Sequence, residues 1–317
     1  MGREAIETKG YPSPADPLVL AVVVNWNRGE DTQECLRSLE QQTYPRVGII
    51  VVDNGSEDGS PESIQRNFPG VELIRLSRNT GFAGGFNRGI ERALSRGGDC
   101  VLILNNDTVA DRLMVEKLVG NLRPGAGIAF PKIYFYDDPL RLWSVGARRQ
   151  FLTLEMTDKA IGQLDRGQWD EVQERDYVTG CALLVQREVF EKVGLFDERY
   201  FAYYEDMDFS FRVREAGWRM LLVPEARLWH KVALTSGGQD SPAERYLMAK
   251  GSVLFFGRHG GGWRRLFIVP FRLGSAIKTT GKLLARRKFK SVQTYWKGLS
   301  EGLKLVFRDT RGEFKSG

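Results

Sequence analysis

Residues Val101–Thr108 read Val-Leu-Ile-Leu-Asn-Asn-Asp-Thr, and this stretch constrains the fold more than any other. Four apolar residues run directly into a polar triplet. A short, wholly apolar run bounded by turn formers is a strand buried on both faces. Such a strand belongs in an α/β sheet with cover above and below, and Asn105, Asn106 and Asp107 then fall at its carboxyl end. In open α/β sheets ligands sit at that edge. One carboxylate flanked by amides suits a hard cation such as Mg2+ or Mn2+, which takes oxygen ligands and keeps places for phosphate. The plainer alternative is a strand-to-helix turn with Asp107 or Thr108 as the helix cap.

The same grammar repeats along the chain. Leu18–Val24 is a first strand running into Asn25-Trp26-Asn27, and Asp31 to Gln42 has helical spacing. Gly48–Val52 is a second strand ending in Asp53-Asn54-Gly55-Ser56, followed by a helix over Ser60–Asn67. Val71–Leu76 leads to Asn79-Thr80-Gly81-Phe82-Ala83-Gly84-Gly85-Phe86-Asn87, and Gly89–Arg96 reads as a helix. Beyond residue 108, Ile128–Arg175 reads as loops and short strands, Tyr177–Val185 as a buried strand, and Arg187–Val193 as a helix closed by Gly194. Phe209–Ala216 is a further helix, and Met220–Pro224 a last strand ending near Trp229-His230. Alternating strands and helices call for a mainly parallel sheet with right-handed crossovers.

Each Asn or Asp at a strand end is, by itself, an ordinary turn residue. Several together, Asn25, Asn27, Asp53, Asn105 and Asp107, point to one shared crevice. An early carboxylate suits a ribose or base edge, amides suit a nucleobase, and glycine backbone allows close approach to a diphosphate. Gly81-Phe82-Ala83-Gly84-Gly85 does not have the spacing of a dinucleotide fingerprint. Thr280-Gly281-Lys282-Leu283 lacks the hydroxyl of a phosphate loop and is a surface helix segment.

Charge is segregated. Residues 258–317 hold 15 Lys and Arg against 3 Asp and Glu, while the remainder holds 31 against 37. The basic balance therefore belongs to the tail and not to the crevice, which argues against a nucleic-acid-binding protein and for an anionic surface beneath the tail. Cys35, Cys100 and Cys181 show no ligand spacing and no disulfide framework, so a reducing cytoplasmic setting is expected. No stretch is long and apolar enough to span a membrane. Met1–Pro17 reads as a loose lead-in without a secretory signal.

Taken in order, these motifs resemble the inverting family 2 glycosyltransferases, and within them the rhamnosyltransferase-like branch that builds bacterial cell-surface polysaccharide. The resemblance covers about residues 18–235. It lies in Asn25-Trp26-Asn27, in Val52-Asp53-Asn54-Gly55-Ser56, in the Gly-rich Asn79–Asn87 segment and in Leu104-Asn105-Asn106-Asp107, which stands for the family's Asp-x-Asp motif. It continues in Gly180–Leu184, Gly194–Glu198 and Tyr204-Glu205-Asp206-Met207-Asp208. Two departures stand out: Asn105 replaces the first Asp, and Phe86 stands where such segments often carry Asn.

The resemblance implies a GT-A fold, a Rossmann-like sheet flanked by helices, over residues 18–235. Residues 18–108 would form the nucleotide-binding half and 109–235 the acceptor half, with a basic helical extension over 236–317. It implies transfer of a sugar, rhamnose from dTDP-rhamnose first and UDP-linked hexoses next, from a nucleotide-diphosphate donor to a hydroxyl of a glycan or lipid-linked acceptor. Asp206 would be the base, with Glu205 and Asp208 as acidic neighbours that raise its pKa. Asp107 and His230 would hold Mg2+ or Mn2+. Asn25, Asn27, Asp53, Asn79, Asn87 and Asn106 would grip the nucleotide. The residues also allow an acidic helix start at Glu205–Asp208, and a non-catalytic nucleotide- or carbohydrate-binding module on the same scaffold. The basic amphipathic tail fits either a peripheral seat on anionic membrane at the inner face of the plasma membrane or a contact with the catalytic domain or a second subunit.

Overall fold

The computed structural model describes residues 16–232 and 240–310, without the side chains of 309 and 310. Most of the expected lead-in, and the expected boundary at 235, lie outside the described residues. The first half alternates strands and helices: β1 (Val19–Asn25), α1 (Gly29–Glu40), β2 (Val47–Asp53), α2 (Ser60–Asn67), β3 (Glu72–Arg75), α3 (Gly81–Ser95) and β4 (Cys100–Asn105). Then come β5 (Thr108–Ala110), α4 (Met114–Gly120), β6 (Ala126–Phe135) and the short strands β7 (Leu142–Ser144), β8 (Arg148–Arg149), β9 (Met156–Thr157) and β10 (Gln173–Arg175). The rest is β11 (Ala182–Gln186), α5 (Arg187–Val193), α6 (Glu205–Glu215), β12 (Arg219–His230), α7 (Pro242–His259), α8 (Arg265–Ala285) and α9 (Phe289–Thr310).

The central sheet has the order β10-β12-β6-β11-β4-β1-β2-β3 and is mainly parallel, with helices on both faces. β4, β1, β2 and β3 run parallel, as do β6 and β12, while β11 enters antiparallel between β4 and β6. Alternate residues of the apolar strands serve opposite faces. Leu20, Val22, Val101 and Ile103 pack into one core layer, and Val19, Ala21, Val23, Leu102 and Leu104 into the other. Register brings the polar ends level: Asn25 pairs with Asp53, and Val24 with Asn105.

Four elements differ from the sequence reading. The Gly-rich segment is not a loop but the first turns of α3. Gly81 enters it at φ +79°, and a Cβ on Gly85 or Gly89 would collide with Val24 or Val22 of β1. The glycines bring the helix down onto the sheet, a packing need that also looks like a phosphate-binding loop in sequence. The irregular middle contains β6, a ten-residue strand whose pattern is masked by Pro131 and Lys132. A register shift in β12 between Val223 and Arg227 accommodates this stretch, and the buried Lys132 ammonium meets Asp165 (2.9 Å) and Asp170 (2.5 Å). The same irregularity lets β12 run past Pro224 to His230. Finally, the strand expected from Tyr177 begins at Ala182, leaving Tyr177–Cys181 as a turn beside the sheet edge.

Candidate active site

The early strand ends are tied to each other. Asn25 is fully buried, and its Nδ2 reaches Asp53 Oδ1 (2.9 Å), Ser60 Oγ (2.7 Å) and Ser56 Oγ (3.1 Å). Its Oδ1 accepts from Thr32 Oγ1 (2.7 Å), and Thr32 Oγ1 in turn accepts from Asn106 Nδ2 (2.9 Å). Asp53 Oδ2 accepts from the Ser56 N–H (3.2 Å), so this carboxylate closes the turn after β2. Asn27, at φ 52°, accepts from the Glu57 N–H through Oδ1 (2.8 Å). Asn79 Oδ1 accepts from the Gly81 N–H (2.7 Å) and from Asn54 Nδ2 (3.1 Å).

The residues of the expected donor grip all have partners within the protein. Asn25 and Asp53 are buried and bonded within the protein, and they shape the loops behind the crevice. Asn87 lies apart from them. Its amide makes a two-way clamp on the Phe196 backbone, donating to the carbonyl (2.9 Å) and accepting from the N–H (3.0 Å), with Glu198 Oε1 at 3.2 Å. Asn27 is exposed, and Asn79 and Asn106 are half-buried. Thr32, which joins Asn25 to Asn106, was not singled out from sequence, because a Thr in the first turn of a helix carries no distinguishing signal.

Asp107 lies in the tight turn between β4 and β5, not at a helix cap. His230 Nε2 lies 3.1 Å from its Oδ1, and the antiparallel pairing of Thr108 with His230 sets the two side by side. The edge of Trp143 packs on the imidazole, ring centroids 4.5 Å apart. Burial opposes a charge on His230, but the neighbouring Cys181 sulfur and the Asp107 carboxylate outweigh it and hold its pKa at about 10. His230 Nδ1 is buried without a hydrogen-bond partner among the described residues. No group of three or more His, Cys, Asp or Glu able to hold a metal occurs among those residues. One carboxylate and one imidazole still fit a cation that completes its shell with phosphate oxygens and water, once the imidazole proton is displaced.

Asp206 stands in the first turn of α6, which begins at Glu205, four residues earlier than expected. Its Oδ2 accepts from the Tyr177 O–H (2.8 Å) and the Gly180 N–H (2.9 Å), and its Oδ1 accepts from the Met207 N–H (2.8 Å). A Cβ on Gly180 would press on the Phe82 ring of α3, so glycine here lets that N–H approach the carboxylate without displacing the ring. Burial pushes the Asp206 pKa up, against these donors. Glu205 is nearly fully buried, its Oε2 has no partner among the described residues, and burial followed by the charge of Asp206 pushes its pKa up strongly. The preceding backbone is strained, with Phe201, Tyr203 and Tyr204 at φ 65°, 67° and 74°. Tyr177 and Gly180 were missed as partners of Asp206, since a strand over Tyr177–Val185 would commit the Gly180 N–H to the ladder and nothing in the sequence ties the Tyr177 hydroxyl to a group 29 residues away.

Asp208 is corrected outright. It is fully buried, meeting His259 Nε2 of α7 (2.8 Å) and Arg212 Nε of its own helix (2.7 Å), with Arg258 of α7 at 3.4 Å. Burial would raise its pKa, but the hydrogen bond with His259 and the charges of Arg212 and Arg258 bring it down to about 2. The charge of Asp208 is thus met by Arg212 and Arg258. Asp208 fixes α6 to the C-terminal helices.

The two halves of the site meet at β4 and β11. The Asn105 N–H donates to the Cys181 carbonyl (2.9 Å), one residue from the Gly180 that holds Asp206. The charges of His230, Asp107 and Asp206 all act on the Cys181 thiol, which burial holds high.

The mainly parallel sheet, with a carboxylate–imidazole pair at one strand end and a half-buried carboxylate across the β4–β11 junction, has the GT-A architecture. Structural comparison agrees. The fold matches GalNAc-T7 solved with UDP, GalNAc and Mn2+ at a TM-score of 0.59 and 17% identity, covering 77% of this chain and 51% of that one. It matches a mannosyltransferase of Pyrobaculum calidifontis, solved with GDP-Man and Mn2+, at a TM-score of 0.53 and 17% identity, covering 94% and 81%. Residues 20–194 match the family model described as Glycosyl transferase family 2, and the chain belongs to that family. It is a glycosyltransferase. It is 28% identical to an N-acetylglucosaminyl-diphospho-decaprenol L-rhamnosyltransferase of Mycobacterium tuberculosis over 86% of this chain and 97% of that protein.

Proposed function

We propose that this glycosyltransferase moves a sugar, with inversion, from a nucleotide-diphosphate donor to a hydroxyl of a lipid-linked glycan acceptor, with Mg2+ or Mn2+ at Asp107 and His230. L-Rhamnose on dTDP is the first donor to test. The likeness to the decaprenol-linked rhamnosyltransferase over nearly its whole length supports that choice.

The observation that carries the reading is Asp206, a half-buried carboxylate linked through Gly180, Cys181 and Asn105 to the strand end bearing Asp107. Asp206 takes the proton of the acceptor hydroxyl as its oxygen bonds to the anomeric carbon. The bond from that carbon to the diphosphate oxygen breaks on the opposite face, and its electron pair leaves with the nucleotide. A cation held by Asp107 and His230 would supply positive charge against the negative charge gathering on the diphosphate. Tyr177 and Gly180 aim the carboxylate and Asn106 positions the turn before Asp107. The test is a panel of nucleotide sugars assayed for transfer and for thermal shift, with and without each cation. Cation-dependent turnover of one donor, lost in Asp206→Asn with donor binding kept, is the expected result. Unchanged turnover in that variant refutes the assignment.

A further inference from the structure

We infer that the outward face of α8 seats on an anionic lipid bilayer. Ile268, Ala276 and Leu283 of this helix are buried against the protein. At 3.6 residues per turn, Leu266, Leu273, Ile277 and Leu284 fall on a second line along the helix, and they are 75%, 61%, 72% and 46% exposed. Arg265 and Lys278 flank that line on its two sides. A helix with one apolar stripe for the protein and another for its surroundings has a second partner.

Charge says which partner. From Arg245 to Ser300 the chain carries 13 Lys and Arg and no Asp or Glu. Arg272, Lys282 and Arg286 are offset by Glu155 and Asp240, but Arg265, Lys278, Arg287 and Lys290 form no ion pair among the described residues. A second copy of this chain, set face to face, would bring these cations against their own kind. An anionic bilayer takes the apolar stripe into its acyl boundary and its phosphates meet the flanking cations. Trp263, half-exposed just before α8, and Trp296 on α9, also half-exposed, suit the headgroup level. No helix among the described residues is long and apolar enough to cross the membrane, so the seat is peripheral.

The surface is joined firmly to the site. α7 ends at His259, which binds Asp208, two residues from Asp206, and α8 starts six residues later. The docked face therefore holds the base helix at a set height above the bilayer.

The test uses the full chain and sedimentation with vesicles of phosphatidylcholine alone or mixed equally with phosphatidylglycerol. Binding to the mixed vesicles alone is expected, weakening with salt. Leu273→Glu with Ile277→Glu should reduce it by about tenfold or more, because charge is placed where the acyl boundary begins. Both side chains are exposed, so the variant should keep the melting temperature and the oligomeric state. Equal sedimentation of variant and parent overturns the proposal, as does binding to neither vesicle. A parent dimer that the variant dissolves, without lipid binding, assigns the face to a second copy instead. The vesicles carry no sugar acceptor, so this result stands apart from the transferase mechanism.

Discussion

The strand ends around Asn25 and the turn around Asp206 use buried polar groups in opposite ways. Near Asn25 the polar valences are closed: amide, carboxylate and hydroxyls bond one another. Near Asp206 one oxygen of the neighbouring Glu205 carboxylate is buried without a partner among the described residues, three residues sit at strained φ, and burial raises two carboxyl pKa values. The first arrangement makes a rigid floor, since satisfied networks specify one geometry. The second holds a carboxylate in a state where taking up a proton is favourable, as a base requires.

The sharpest way to break that contrast is Asp206→Asn, which should lower kcat by about 10^2–10^4-fold, the range for a lost general base, while leaving donor affinity and melting temperature close to the parent. Kinetics and calorimetry on one preparation check this. Asn25→Ala should do the reverse. It strands the buried groups of Asp53, Thr32 and Ser60, so denaturant unfolding should show a loss of about 2–3 kcal/mol, with activity falling only as the fold loosens. Gly89→Ala tests whether the glycines of α3 serve packing. The added methyl meets Val22, and a stability loss of about 1–3 kcal/mol is expected with KM for the donor unchanged. A raised donor KM at full stability would return these glycines to a binding role.

The smallest effect concerns pH. The base must be ionised to act, and its raised pKa means that activity is present above that value and lost as pH falls through it. The Tyr177 hydroxyl donates to the ionised form and so holds the pKa down. Tyr177→Phe should move the acid limb of the kcat/KM profile upward, by about one pH unit or less. A limb that stays in place would mean that the ionisation belongs to another group.

Much of the first half of the sheet was legible because its signals are local. β1, β2 and β4 are apolar runs with polar ends, and Gly194 marks the end of α5 through a single left-handed residue at φ 81°. The failures have physical causes too. Gly81–Gly89 was ambiguous because glycine serves close approach of any kind, to a phosphate or to β1. β6 was hidden by Lys132, whose burial depends on Asp165 and Asp170 more than thirty residues away. Asp208 looked like a companion of Asp206, yet two positions along a helix point in different directions, and its partners come from α6 and α7.

By itself, then, the sequence determined the class of the fold and the residues available for chemistry, since hydrophobic period and turn chemistry act over a few neighbouring positions. Tertiary structure decided the duties: Asn25, Asp53 and Asn87 became braces, Asp208 an anchor, and Tyr177 and Gly180 the holders of Asp206. A hydrogen bond is decided by distance and direction in space, and His230 and Asp107, which meet here, are separated by 123 positions along the chain.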